Sequence, residues 1–211
     1  MKCIIIANGE INDYPYHRRY IDEGDCIICA DGGGRHALAM GLKPDYLMGD
    51  FDSLAPDLLE ELKSLDNPPK LVKFPSEKDK SDSQLAVEFA MTLNPDSIII
   101  MGGTGSRLDH TLATITLLAM YPDVNIHVVD DTNDLYLTTD RAVIKGKPGD
   151  EVSILPLTPV VKGVTTKGLK WPLVNKTIEM GSSLGISNVL LENEAEFTLT
   201  EGKLLVLRSV D

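Results

Sequence analysis

Ile98-Ile99-Ile100-Met101-Gly102-Gly103-Thr104-Gly105-Ser106-Arg107-Leu108-Asp109-His110 runs from an unbroken apolar segment into a glycine-rich loop. Residues 111–120 follow it and are apolar nearly all round. An unbroken apolar run suits a strand covered on both faces, and an all-round apolar helix is expected to be buried. The same passage from apolar run to polar loop to helical stretch recurs up to about residue 137. Further strands are predicted at 3–7, 26–30, 46–48, 71–74 and 126–129. Pro56 reads as a first-turn proline for a helix over 57–65. Ser81 and Gln84 have capping-box spacing before Leu85, Ala86, Phe89 and Leu93, which share one helical face. Strand–helix–strand repetition predicts an α/β fold with a mostly parallel sheet flanked by helices.

The pattern changes after Asp140. Gly149, Gly163, Gly168, Pro172, Gly181, Gly185 and Gly202 punctuate short runs at 152–155, 189–191 and 204–207. Ala195, Phe197 and Leu199 alternate with polar neighbours, and no helical period is visible. Short strands with frequent turn signals predict a smaller all-β sandwich. The expected division is therefore a domain over 1–137 and a second over 140–211.

Hydrophobic residues make up 43% of the 211, enough for a substantial core, and the formal net charge is −12. That charge, with no Lys/Arg cluster, argues against a nucleic-acid binder. No apolar stretch reaches the ~20 residues needed to span a bilayer. The opening apolar run stops at Asn8, Gly9 and Glu10, too soon for a signal peptide. Three cysteines suit a reducing compartment. Cys26 and Cys29 form a C-x-x-C, but inside a strand they face opposite sides of the sheet, so a structural role is expected. The expected location is cytoplasmic.

Acidic and glycine-rich motifs stand where such a sheet puts its ligand crevice. Asp50 and Asp52 lie two apart after a strand, so both carboxylates can face one side, although Gly-Asp-Phe-Asp-Ser also suits a plain turn. Asp79 and Asp82 straddle the helix start at Ser81, where amides and the dipole favour anions; ordinary capping accounts for part of this. Gathered carboxylates need a hard cation, and Mg²⁺ is usually held by one or two carboxylates plus phosphates. Lys78 and Lys80 suit phosphate charge or a solvated face. Asp31-Gly32-Gly33-Gly34 and Asn8-Gly9 end strands, and glycines allow close backbone approach to a ligand. The loop 102–107 resembles a phosphate cradle with Arg107 beside it, but lacks the ending of a Walker A loop. Asp109 reads as a helix cap, and His110 as a titrating or a core histidine. A lone Trp171 is more often core than ligand-binding, and Ser187-Asn188 suits a ligand contact or a turn.

Taken in order, Ala30-Asp31-Gly32-Gly33, Pro44-Asp45-Tyr46-Leu47-Met48-Gly49-Asp50-Phe51-Asp52-Ser53, Glu77-Lys78-Asp79-Lys80-Ser81-Asp82, the loop 102–110 and Gly185-Ile186-Ser187-Asn188 resemble the thiamine pyrophosphokinase family. The resemblance covers nearly the whole chain. It implies an N-terminal α/β domain, a C-terminal sandwich, and a homodimer whose active sites join one subunit's α/β domain to the other's sandwich. The implied reaction moves diphosphate from ATP to the thiamine hydroxyl. It assigns Mg²⁺ to Asp50, Asp52 and Asp82, with Asp79 and Arg107 added as catalytic residues. ATP falls to Asn8, Asp31, Gly32, Gly33, Lys78, Ser81, Gly102, Thr104, Gly105, Arg107, Asp109 and His110. Thiamine falls to Trp171, Ser187 and Asn188. Ser106, Ser81 and Gly34 depart from residues common in the family, and none removes a charge the reaction needs.

Two rivals fit parts of the sequence. Aspartate clusters beside an Asp-His pair also suit a metal-dependent phosphoesterase. A non-catalytic nucleotide-binding module with an interaction domain is the other. A haloacid-dehalogenase-like reading of Asp50-Phe51-Asp52 is disfavoured, because that nucleophile usually follows the first strand of its domain.

Overall fold

The computed structural model describes residues 1–51, 55–75 and 79–210. Two compact units are formed by residues 1–117 with 126–131, and by residues 118–125 with 132–211.

In the first unit the strands are β1 (Lys2–Ile6), β2 (Cys26–Ala30), β3 (Tyr46–Gly49), β4 (Lys70–Lys73), β5 (Ser97–Met101) and β6 (Ile126–Val129). They pair in parallel in the order β6-β5-β1-β2-β3-β4. The central strands are continuously apolar because both of their faces are covered: Ile4, Ile5, Ile28, Ile98 and Ile100 are fully buried. Cys3, Cys26 and Cys29 are free and buried among them, and burial pushes the Cys29 thiol up. The run of neighbours β1 to β4 goes one way from β1, while β5 and β6 lie on its other side. Strand order reverses between β1 and β5, which is where an open α/β sheet leaves a crevice at its carboxyl edge.

The helices are α1 (Tyr14–Arg18), α2 (Gly34–Ala39), α3 (Pro56–Lys63), α4 (Asp82–Thr92) and α5 (Leu108–Leu117). Pro56 is the first residue of α3, as its fixed φ favours. Ser81 caps α4, its Oγ accepting from the Gln84 amide at 3.2 Å. The reciprocal half of a capping box is missing, because the Gln84 side chain donates instead to Glu88 Oε1. Ser81→Ala should lower stability by about 1 kcal/mol, read as a lower urea midpoint at unchanged slope.

Two helices differ from expectation. The buried residues of α4 are Ala86, Val87 and Ala90. Small side chains let the helix close on the sheet, and half-buried Phe89 packs edge-on to Tyr46 instead, ring centroids 4.8 Å apart. Nor is α5 buried all round: Thr114 and Leu117 are buried, but Leu108 and Leu112 are 72% and 61% exposed. Only one side of this helix is covered.

The second unit holds β7 (Asn133–Thr138), β8 (Arg141–Lys145), β9 (Glu151–Pro156), β10 (Val160–Lys167), β11 (Lys176–Glu179), β12 (Asn188–Val189), β13 (Glu194–Thr198) and β14 (Leu204–Ser209). The antiparallel orders are β12-β9-β14-β7 and β11-β10-β13-β8. Ile144, Val164 and Phe197 of one layer and Ile154, Leu204 and Val206 of the other belong to one core. This is the expected sandwich. Residues 133–138 pair with β14 inside this unit, and the chain crosses between the units at 117/118, 125/126 and 131/132, where composition suggested one division at 138–140. Among the described residues, no helix is long and apolar enough to cross a membrane.

Candidate active site

A cavity of about 530 Å³ opens in the first unit at the carboxyl ends of β1, β2 and β5. Its walls are the segment after β1 (Ala7 to Glu10), Asp31 after β2, Arg35 of α2, Ser81, Asp82 and Ser83 at the start of α4, the loop after β5, and His110 and Thr114 of α5.

The walls are built by continuing the β1–β5 pairing past the sheet. The Ala7 amide donates to the Met101 carbonyl at 2.8 Å, that of Gly9 to Gly102 at 2.8 Å, and that of Glu10 to Thr104 at 3.0 Å. Glycine is needed at position 9, since a Cβ there would overlap the carbonyls of Gly102 and Thr104. From the other side, Arg35 Nη2 donates to the Asn8 and Gly9 carbonyls at 3.1 and 3.2 Å. Buried His36 bonds the Gly9 carbonyl through Nε2 at 2.9 Å and the Tyr14 hydroxyl through Nδ1 at 3.0 Å. Burial pushes the His36 pKa down, which favours the neutral ring.

The loop after β5 turns at Gly102, whose φ of +63° suits glycine. The Gly105 amide donates to Thr111 Oγ1 and the Ser106 amide to Glu10 Oε1. Ser106 is not among the positive-φ residues, so a residue other than glycine sits there without strain. Arg107 grips Asp109 through Nε at 2.9 Å and Nη2 at 2.6 Å. That hydrogen bond holds the Asp109 carboxyl well below the usual carboxylate range.

Two residues at strand ends are held in the left-handed region without being glycine: Asp31 at φ 47° and Phe51 at φ 64°. Such positions cost ~1–3 kcal/mol each and cluster at functional sites. The Asp31 carboxylate lies so close to Gly49 that a Cβ there would overlap Oδ1. This brings Asp31 beside the chain at Asp50.

Of the residues picked from the sequence, Asn8, Asp31, Ser81, Asp82, Gly102, Thr104, Gly105, Arg107 and His110 share this cavity. His110 is exposed at its wall, so the core reading of that residue is wrong. Asp50 is half-buried at the end of β3 and Asp79 is exposed ahead of the Ser81 cap; neither lines the cavity. Gly32 and Gly33 let the chain approach itself closely: a Cβ would strike the Asn8 side chain or the Ile6 carbonyl. Asp109 is not a wall residue and is spent on Arg107. Asp52 and Lys78 lie outside the described residues. Glu10 and Arg35 join the site although sequence reasoning passed over them. Their signal was adjacency, one to Asn8-Gly9 and the other to the triple glycine.

In the second unit Trp171 is 54% exposed, so the core reading fails. Lys170 Nζ lies 4.7 Å from its ring centroid. Asn188 is buried, accepting from the Trp171 amide at 3.0 Å and donating to the Trp171 carbonyl at 2.7 Å. Its amide therefore holds the Trp171 backbone. Ser187 is exposed with φ 55°, and its amide donates to Ser153 Oγ.

A magnesium ion suits the donor chemistry of the cavity. The carboxylates in its wall are Glu10, Asp31 and Asp82, with Asp50 next to Asp31's neighbour Gly49, and oxygen-only donors select hard cations. Among the described residues, however, no three His, Cys, Asp or Glu side chains are gathered as a metal centre. The expected trio of Asp50, Asp52 and Asp82 includes one residue outside that set.

Comparison with known proteins agrees along the chain. Residues 17–129 match the description "Thiamin pyrophosphokinase, catalytic domain" and residues 137–204 "Thiamin pyrophosphokinase, vitamin B1 binding domain". The chain is 33% identical to a thiamine pyrophosphokinase of Bacillus subtilis, covering 100% of both chains. Its fold is similar to the crystal structure of thiamine pyrophosphokinase from Bacillus subtilis, with TM-score 0.90, 29% identity and 100% coverage of both. The Geobacillus thermodenitrificans structure gives TM-score 0.89 at 32% identity, covering 100% of this chain and 98% of that one. On these grounds the chain belongs to the thiamine pyrophosphokinase family.

Proposed function

We propose that this protein is a thiamine pyrophosphokinase that transfers a diphosphate group from ATP to the hydroxyl of thiamine, releasing AMP. The observation that carries this reading is the cavity at the strand-order reversal, where a glycine-rich loop, Arg107 and Asp82 meet. The full-length likeness to relatives so named supports it. Neither a phosphoesterase nor a non-catalytic module has comparable support.

In the reaction the thiamine oxygen bonds to the β-phosphorus, the bond from that phosphorus to the α,β-bridging oxygen breaks, and the hydroxyl proton is released. Catalysis of this kind is mostly positioning and charge stabilisation. The backbone of loop 102–106 cradles phosphate oxygens. Arg107 offers a planar fork of donors for the transferring and departing oxygens, once Asp109 yields it. Asp82, at the start of α4, and Asp50 with its neighbour Asp52 would hold magnesium, with Asp31 and Asp79 nearby. When bound, that ion neutralises diphosphate charge and fixes its orientation.

The second unit takes thiamine. Trp171 offers an exposed aromatic face for the cationic thiazolium, Asn188 holds that residue in place, and Ser187 supplies a hydroxyl. A homodimer is part of the proposal. It rests on the family likeness. A cytoplasmic setting is supported by three free cysteines.

Incubation with ATP, Mg²⁺ and thiamine should give AMP and thiamine diphosphate in equal amounts. Omitting thiamine, or adding a chelator, should stop AMP release. Phosphate release without thiamine would instead mark a hydrolase.

A further inference from the structure

Glu10 belongs to no motif assigned above, yet its carboxylate sits where the cavity is built to take an anion. The amide of Ser106, in the phosphate-type loop, donates to Glu10 Oε1 at 3.0 Å, and both residues line the cavity. The Glu10 backbone is fixed rather than loose: its amide is bonded to the Thr104 carbonyl at 3.0 Å. Two residues on, the Asn12 amide donates to Asp131 at 3.0 Å, while Arg35 and His36 hold the carbonyl of Gly9. The neighbouring cation is treated alike, since Arg107 is held by Asp109 through two bonds. Two of the cavity's anion-binding groups, an amide and a guanidinium, are thus engaged by carboxylates of the chain.

We propose that Glu10 is an affinity-setting residue: its carboxylate competes with a polyphosphate oxygen for the Ser106 amide and must swing away when nucleotide binds. A carboxylate and a phosphate oxygen are both acceptors, and one N–H serves one of them well at a time. Like charges a few ångströms apart add repulsion near a surface. The consequence is weaker binding of every polyphosphate, with thiamine unaffected. The inference rests on the reading of the cavity as the ATP site.

The test is calorimetric binding of inorganic triphosphate and of ATP to wild type, Glu10→Gln and Glu10→Ala, with Glu23→Gln as a remote control for the change in net charge. Glu10→Gln keeps an acceptor for the Ser106 amide and so guards against a loop collapse in Glu10→Ala; circular dichroism checks both. Triphosphate and ATP should bind Glu10→Gln about fivefold more tightly through loss of the charge repulsion, and Glu10→Ala at least as tightly, since it also frees the Ser106 amide. The KM for ATP should fall in step while the KM for thiamine stays put, and Glu23→Gln should match wild type. Unchanged or weaker binding by Glu10→Gln overturns the proposal, and so does an equal gain in Glu23→Gln. If wild type makes thiamine diphosphate and the Glu10 variants show no gain, this inference alone falls. A wild type that binds neither triphosphate nor ATP brings down the ATP-site reading with it.

Discussion

Asp82→Asn should reduce kcat for thiamine diphosphate synthesis by about 10²–10³-fold, the scale seen when one group that stabilises developing charge is removed. The substitution is nearly isosteric, and it deletes a charge from the one carboxylate that both lines the cavity and stands at the start of α4. Stability should hardly change. Ser81 still caps the helix through its hydroxyl, and an acidic residue in a first turn contributes only about 0.3–1 kcal/mol. Activity and unfolding therefore separate: a large loss in turnover with an unfolding midpoint close to wild type. A variant within threefold of wild-type kcat would remove Asp82 from the reaction.

Arg107→Ala should cost about 10²-fold in kcat, because the fork of donors has no substitute within the described wall of the cavity except Arg35. Arg35 is already bonded to the Asn8 and Gly9 carbonyls. Arg107→Lys should recover only part of the loss, since an ammonium restores charge but not the planar pair of bonds. The fold should survive either change, the Arg107 side chain being 70% exposed and its partner Asp109 64% exposed. Steady-state kinetics at saturating thiamine provides the check, and a lysine variant as active as wild type would mean that charge alone is required.

The architecture was legible in sequence where burial is uniform. The runs at 26–30 and 98–101 are apolar without interruption because the strands are covered on both faces, and that leaves a strong mark. The alternation at Ala195, Phe197 and Leu199 was equally readable, since one face of β13 packs on the core and the other does not. Short elements left no such mark. Helices α1 and α2 have five and six residues, too few for a 3.6-residue period to declare itself. The residues 111–120 misled for a different reason. Apolar composition all round a helix says what it could bury, while the structure leaves Leu112 and Met120 outward.

At the site, residue types announced chemistry but not distance. Asp31, Asp82 and Arg107 are ordinary acidic and basic letters until the parallel sheet brings the ends of β1, β2 and β5 together. The triple glycine was read as room for a ligand; that Gly32 and Gly33 also make room for Asn8 and Ile6 of the same chain had no mark in the sequence. Asn188 looked like a ligand contact because it is short and polar; that its amide also ties down both backbone groups of Trp171 is visible only in the structure. Glu10 was missed because a single glutamate after a strand has no pattern around it. Its role emerges only from the amide of Ser106, far along the chain.

The most direct measurement is a crystal structure with magnesium, thiamine and a non-hydrolysable ATP analogue. Its phosphates should lie on the loop 102–106 beside Arg107, with Asp82 among the oxygen ligands of the cation. Phosphates bound away from the carboxyl ends of β1 and β5, or a cation held without Asp82, would contradict the account.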